Sequence, residues 1–177
     1  MAAEIVRVYR EKLPALRFIG RRYTDGDRVG GTFASCWREW FERRWFAPLE
    51  ALGTLPENGD AYLGFMHCSK AEGGGFEYWI GMFFPAGTEV PKGYGCVDRP
   101  AGEIAVCWIR GDEAGGGLYG EKAAAMCLER IREAGWEAAR SPWIFERYCC
   151  PRFTMPDGEG KVILDFCVYL EECRPAH

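Results

Sequence analysis

The order of predicted elements repeats once along the chain, and this repeat constrains the fold more than any other feature. Alternating apolar residues predict strands and a 3.6-residue period predicts helices, so each half contains a strand, a helix and two more strands. The matching segments start about 80 to 90 residues apart: 15–24, 30–52, 60–68 and 76–84, then 103–111, 118–135, 142–150 and 161–170. We therefore expect one α+β domain over residues 1–177, with pseudo-symmetric halves of about 15–84 and 103–170.

Two such halves can join their strands into one antiparallel sheet with both long helices packed on one face. In the first half, Phe33, Trp37, Trp40 and Phe41 recur at helical spacing, and a turn at residues 70–75 closes the hairpin. We expect the opposite face of the sheet to be concave and to hold a ligand cleft between the halves.

Aromatic residues exceed what the core of a chain of this size needs. They make up 15% of the sequence, with 7 Trp, 8 Tyr and 11 Phe. This surplus fits a pocket lined with rings, although a ring-rich core is the simpler alternative.

The charge and hydropathy patterns argue against nucleic acid or a membrane as partner. The net charge is −4, and Lys and Arg are scattered among Asp and Glu, so no basic face forms. The first residues contain no apolar signal region, and no apolar run reaches membrane-spanning length. We therefore expect a cytoplasmic protein that binds neither membranes nor, by itself, nucleic acid.

Other motifs that carry chemistry are missing from the sequence. The nine cysteines are odd in number and mostly occupy apolar runs, which favours free buried thiols. No C-x-x-C pair occurs, and Glu121 separates Lys122 from the glycines that a P-loop would place directly before it. His67 lies in a strand with no Ser or Asp pattern around it, which argues against a Ser-His-Asp or Cys-His nucleophile. We expect no metal and no cofactor.

An acidic residue, Glu146, interrupts an aromatic strand, WIFERY, at residues 143–148. An ionised carboxylate among rings is costly unless something pairs with it. Because alternate strand residues share a face, Glu146 lies with Tyr148, and Trp143 lies with Phe145. We assign Trp143 and Phe145 to the helix-facing core, which sends Glu146 to the concave face. An exposed edge position, or an ion pair with Arg147 or Arg152, is the alternative.

From residue 15 to 171 the chain resembles the GyrI-like, or AraC-type effector-binding, domain family. The resemblance rests on the order and spacing of four pieces: FEYWIGM at 76–82, VPKGYGCVDRPAGEIAVCWIRG at 90–111, Leu118 with Tyr119, and WIFERY at 143–148. It implies a tandem strand–helix–strand–strand module. It also implies a multidrug-binding pocket in which a glutamate, here Glu146, lies deep among aromatic rings beside Tyr148 and meets lipophilic cations.

The expected site is an aromatic cleft with Glu146 at its floor. Which face of the strand 76–84 lines it stays open, and two of the helix tryptophans fit a buried stripe equally well. The candidate ligand-binding residues are Glu146, Tyr148, Tyr78, Trp79, Trp108, Tyr169, Phe65, Trp37 and Trp40.

Three functions fit this resemblance. The favoured one is a stand-alone small-molecule-binding protein for planar lipophilic or cationic compounds, used in sensing or detoxification. The family domain fills the sequence and leaves no room within it for a DNA-binding helix-turn-helix, so a separate regulator protein is a candidate partner. The second is a hydrolase that opens cyclopropane-containing genotoxins, with Glu146 as general base and Tyr148 or Tyr78 as hydroxyl donor. The third is a protein-binding module like the gyrase-inhibitor branch. The sequence does not decide between binding and turnover.

Overall fold

The computed structural model describes residues 3–53, 60–68 and 75–171. Their strands form a single eight-stranded sheet, and their helices are short apart from one of 14 residues. The elements are β1 (Glu4–Leu13), β2 (Leu16–Thr24), a 3-10 turn (Asp25–Asp27), α1 (Ala34–Glu42), α2 (Ala47–Glu50), β3 (Tyr62–Cys68), β4 (Phe76–Pro85), β5 (Gly95–Arg99), β6 (Gly102–Gly111), α3 (Gly120–Glu133), β7 (Trp143–Tyr148) and β8 (Val162–Tyr169).

The sheet order confirms the predicted α+β repeat. It runs β1-β6-β8-β7-β3-β4-β2-β5, and every neighbouring pair is antiparallel. β7 and β3 meet at the centre, and the last and then the first strand of each repeat follow outward on either side. The two halves are thus related by a pseudo-twofold axis between β7 and β3.

Two edge strands, β1 and β5, lie outside the segments that the sequence predicts as strands. β1 precedes the first half in the chain but pairs with β6 of the second half, and β5 precedes the second half but pairs with β2 of the first. Their charged side chains are typical of sheet edges and hide the strand pattern. Each edge strand therefore pairs with the half that lies farther from it in the chain.

The predicted helix at 30–52 is two shorter helices. α1 ends at Glu42, Arg44 takes a φ of 55°, and α2 then begins with Pro48 in its first turn. A positive φ at a non-glycine residue ends the helical path, and proline at a helix start has no amide hydrogen to lose. The predicted turn at 70–75 lies almost wholly outside the described residues. Among the described helices, none has the length and apolar character needed to cross a membrane.

The helices α1 and α3 pack on one face of the sheet, and Glu146 lies on that same face. Trp40 of α1 packs against Ile80 of β4, and Cys127 of α3 packs against Cys107 of β6. Cross-strand partners share a face. A continuous row of such partners links the two contacts: Cys107, Phe166, Glu146, Gly64 and Ile80. The assignment of Glu146 to the face opposite the helices is therefore wrong.

The helix-free face is a filled core. Although four strands separate β5 from β8, the guanidinium carbon of Arg99 lies 4.6 Å from the ring centroid of Tyr169, so the sheet curls strongly. The hollow of this curl is packed with buried aromatic and aliphatic side chains, Phe18, Phe65, Phe83 and Phe145 among them. Trp143 and Phe145 belong to this core because the curl, which the strand pattern does not reveal, buries a face that no helix covers. Among the described residues, buried side chains occupy the face on which the cleft was predicted.

Two backbones of the sheet approach each other closely at Gly81. A Cβ atom on Gly81 would lie 2.1 Å from the carbonyl oxygen of Ile19 and 2.7 Å from the Cα of Gly20. We expect Gly81→Ala to lower the free energy of unfolding by about 2 kcal/mol or more, because backbone atoms would have to shift. Urea unfolding measures this change.

Gly102→Ala is the matched control. Gly102 also lies in a strand, but no atom lies within 4 Å of the added Cβ, so we expect a change within about 0.5 kcal/mol. Equal losses for the two variants would show that the close approach at Gly81 does not constrain the sheet.

Candidate functional site

Glu146 is a buried carboxylate at the centre of the sheet. It lies opposite Gly64 of β3 and Phe166 of β8, and only 8% of its surface is exposed. The hydroxyl of Tyr148 donates a hydrogen bond of 2.8 Å to its Oε2 atom. No cationic side chain of the described residues forms an ion pair with it. Burial raises the pKa of Glu146 to about 7, against the opposing effect of the Tyr148 hydrogen bond.

The first half of the chain covers this carboxylate with rings. A Cβ atom on Gly64 would lie 2.4 Å from the Tyr78 hydroxyl and 3.2 Å from Oε2 of Glu146, so both oxygens overhang the glycine. Trp37 of α1 donates from Nε1 to the Tyr78 hydroxyl at 2.9 Å and meets the Tyr148 ring edge-on at 4.9 Å. Phe33 stacks on Tyr78 with ring centroids 4.2 Å apart. The missing side chain of Gly64 makes room for this arrangement.

The second half contributes the remaining cover. Phe153, which follows β7, meets Tyr148 edge-on with ring centroids 4.8 Å apart. Burial raises the pKa of Tyr119, which lies directly before α3, and the carboxylates of Glu113 and then Glu146 add to the increase. Burial and Glu146 likewise raise the pKa values of Tyr78 and Tyr148. All three phenols are therefore neutral at physiological pH, and each keeps its hydroxyl proton.

A second buried acid, Asp165 of β8, has the counter-charges that Glu146 lacks. Its side chain is fully buried on the helix-free side, where Nε of Arg147 lies at 3.1 Å and Nε of Arg152 at 2.9 Å. Arg147 also forms an ion pair with Glu11 at 2.9 Å. The protein thus neutralises one buried acid with two arginines and surrounds the other with neutral rings and hydroxyls.

The structure brings together four of the predicted site residues: Glu146, Tyr148, Tyr78 and Trp37. Trp40 instead lies in the core under α1, where its Nε1 donates to the Tyr23 hydroxyl at 2.8 Å. Trp40 lies three positions after Trp37 on α1, so its side chain points away from the centre of the sheet and into the core under α1.

Four predicted site residues lie on the other face and do not contact Glu146. They are Phe65, Trp79, Trp108 and Tyr169, all in or against the helix-free core. Strand alternation explains the outcome: Trp108 pairs in register with Asp165, and Phe65 pairs with Phe145, both of which point away from Glu146. The same rule resolves the open choice for β4, because Tyr78 faces the acid and Trp79 does not.

Sequence reasoning left out several residues around the acid. Phe33 looked like one more member of a helical stripe, and Phe153 lies between the segments predicted as strands at 142–150 and 161–170. Tyr119 was noted only for the family resemblance. Gly64 carried a usable signal, because a glycine inside a strand pattern indicates a close approach of another group.

Comparison with known proteins establishes the fold only. No family model and no curated protein matches the chain. A suggested bacterial transcription regulation protein from Staphylococcus aureus is 18% identical, with a TM-score of 0.64 over 94% of this chain and 99% of that one. A protein solved with bound tetraphenylphosphonium is 16% identical, with a TM-score of 0.69 over 97% and 98%. EcmrR in complex with DNA is 12% identical, with a TM-score of 0.55 over 94% of this chain and 57% of EcmrR.

The uncompensated carboxylate gives a pH-dependent stability difference. The folded-state pKa of Glu146 is raised from 4.5 to about 7, so its ionisation opposes folding, with the full cost above pH 7 and none below pH 4.5. We expect the free energy of unfolding of Glu146→Gln to exceed that of the parent by up to about 3 kcal/mol at pH 8. Denaturant unfolding at pH 8 and pH 5 should show the gain shrinking in acid.

Asp165→Asn is the contrasting variant. It leaves Arg147 and Arg152 without their shared acceptor charge, so we expect a loss of about 3 kcal/mol or more at both pH values. If Glu146→Gln also destabilised the protein at pH 8, the carboxylate would have a counter-charge after all.

Proposed function

We propose that the protein binds flat or globular lipophilic cations on the helix-bearing face, with Glu146 as their counter-charge. The observation that carries the proposal is the contrast between the two buried acids. Asp165 is neutralised by arginines, whereas the buried carboxylate of Glu146 has one hydroxyl donor and no cation among the described residues. A buried acid held without a counter-charge is costly and is typical of binding and catalytic sites.

A lipophilic cation supplies what this site lacks. Its charge compensates the carboxylate, and its apolar surface takes the place of water against Trp37, Tyr148 and Phe33. Aromatic faces attract cations, and the interaction demands no directional hydrogen bond from the ligand. Such a site accepts ligands of different shapes, which fits a role in sensing or detoxification of foreign compounds.

Entry of the ligand requires the ring cover to move. With 8% of its surface exposed, Glu146 has no room for direct contact with a ligand unless Trp37 or Tyr148 is displaced. Both of these rings keep part of their surface exposed, so neither is locked inside the core. Trp37 lies on the nine-residue α1, whose short length gives it few anchoring contacts. We place the entrance between α1 and the start of α3.

The fold comparison supports the ligand class. The protein with bound tetraphenylphosphonium shares the fold over nearly the whole of both chains, and that ligand is a lipophilic cation. The transcription regulation proteins of the same fold support a role as an effector-binding domain. The site residues are argued from this chain alone.

Tetraphenylphosphonium is the direct test ligand. We expect micromolar binding, measurable by calorimetry or by quenching of tryptophan fluorescence, and a roughly 10- to 100-fold loss of affinity in Glu146→Gln. Triphenylphosphine oxide, which is neutral, should bind the parent and the variant with equal affinity.

Glu50→Gln is the matched control for net charge. Glu50 is exposed on α2 and accepts a hydrogen bond from Tyr62, so its loss removes one charge near the same face but none from the site. Its affinity for the cation should stay within about twofold. Equal losses in Glu50→Gln and Glu146→Gln, or none in either, would contradict the proposal.

Hydrolysis is a second candidate for the same residues. A carboxyl group with a pKa of about 7 beside the neutral hydroxyls of Tyr148 and Tyr78 fits a general base with nearby proton donors. The reaction in question is the opening of a cyclopropane-containing genotoxin by water. We favour binding because a cation is all that is needed to neutralise the buried carboxylate of Glu146, and a carboxylate alone does not establish turnover.

Incubation with a cyclopropane-containing DNA alkylator separates the two functions. We expect stoichiometric protection of the compound and its recovery intact after denaturation, as measured by mass spectrometry. A water-added product formed over many turnovers, and slowed about 100-fold or more in Glu146→Gln, would establish the hydrolase instead.

A further inference from the structure

A second polar cluster lies at the ends of β3 and β4, on the opposite side of the sheet from Glu146. Oγ of Ser141 lies 3.2 Å from Nε2 of His67, and Nδ1 of His67 lies 3.6 Å from Oε1 of Glu77. This is the order of a hydroxyl nucleophile, an imidazole base and an orienting acid. The three residues come from separate segments, so no motif in the sequence announces them.

The imidazole is held from both neighbouring strands. His67 pairs in register with Trp143 of β7 and Glu77 of β4, and its ring stacks on Trp143 with centroids 4.7 Å apart. Oε2 of Glu77 accepts from Nε1 of Trp79 at 3.0 Å and pairs with Nε of Arg22 at 2.8 Å. At 3.6 Å, Oε1 of Glu77 is within ion-pair range of Nδ1 of His67 but beyond hydrogen-bond distance, and the ring is oriented so that Nε2 faces Oγ of Ser141.

Ser141 has an unusual backbone conformation. Its φ is 54°, in the left-handed region that non-glycine residues seldom adopt, and Pro142 follows it. A residue before proline is normally extended, so this geometry needs support from its surroundings. The support comes from the hydroxyl, which donates to the carbonyl oxygen of Cys68 at 2.8 Å beside its contact with His67. Strained backbone positions of this kind cluster at functional sites.

We propose that Ser141, His67 and Glu77 form a second centre that hydrolyses carboxylic esters with short acyl groups. The Ser141 hydroxyl turns from the Cys68 carbonyl oxygen to Nε2 of His67, which takes its proton while Oγ bonds to the ester carbonyl carbon. The bond from that carbon to the alcohol oxygen breaks, and the alcohol leaves with the proton from His67. Water then repeats the sequence on the acyl-serine, which releases the carboxylic acid and restores Ser141. Glu77 acts as the positioning residue for His67.

The surroundings of the cluster set the size of the substrate. The side chains of His67 and Glu77 are each 19% exposed, so an ester can approach from solvent. Behind them the helix-free core is filled, with Phe65 stacked on Trp143 at 4.4 Å. Among the described residues, Phe65 and His67 stack on the Trp143 ring and Arg99 lies 5.9 Å from its centroid, so the larger part of a substrate has to extend towards solvent. This centre does not depend on cation binding at Glu146.

Covalent labelling and ester turnover test the centre directly. A fluorophosphonate should add once to the intact protein, and peptide mass spectrometry should place the adduct on Ser141. The parent should hydrolyse p-nitrophenyl acetate at least 100-fold faster than Ser141→Gly, which removes the nucleophile while glycine accepts the positive φ. His67→Gln should slow labelling to a similar extent.

Ser141→Gly should retain the parent melting temperature within a few degrees and bind tetraphenylphosphonium as the parent does, so any loss of turnover reflects chemistry. Glu77→Gln should slow the labelling of Ser141 about tenfold, and Glu77→Asp should restore part of the rate. An adduct on another residue, no adduct, or equal turnover by the parent and Ser141→Gly would overturn the proposal.

Discussion

The pairing of β3 with β7 joins the two halves of the sheet and places Glu146 opposite Gly64. At this central position, a side chain on β3 would fill the space above the acid, and the glycine instead leaves it to Tyr78 from the first half and Tyr148 from the second. The carboxylate is therefore buried by groups that belong to different repeats. The raised pKa of Glu146 and the neutral state of the surrounding tyrosines follow from this register, and no cation of the described residues pairs with the acid.

The two faces of the sheet are buried in different ways. The curl closes the helix-free face around a buried aromatic core. That core includes Asp165 only because Arg147 and Arg152 neutralise it. The other face stays too broad for either helix alone, so α1 and α3 each cover one half. The site at Glu146 lies between the part of the sheet that α1 covers and the part that α3 covers. A ligand that displaces side chains there leaves the core under each helix intact.

Much of the architecture could be predicted from the sequence, because strand alternation and helical periodicity are local properties of each segment. The repeat and the antiparallel sheet followed from them, as did the grouping of Glu146 with Tyr148 on one strand face. The identity of that face did not follow. It depends on the curl of the whole sheet, and a strand such as WIFERY has rings on both sides. For this one reason the prediction misplaced four residues: Phe65, Trp79, Trp108 and Tyr169. The contact of Ser141 with His67 was also missed, because it depends on the pairing of β3 with β7, two strands that are far apart in the chain.

The linkage between cation binding and the proton on Glu146 tests the central claim most directly. At pH 7 the carboxyl group is about half protonated in the empty site, and a bound cation requires its ionised form. Calorimetry of tetraphenylphosphonium binding at pH 7, in buffers of different ionisation enthalpy, counts the protons released. The account predicts release of about half a proton from the parent protein and none from Glu146→Gln. Binding without proton release, or with equal release from both proteins, would contradict it.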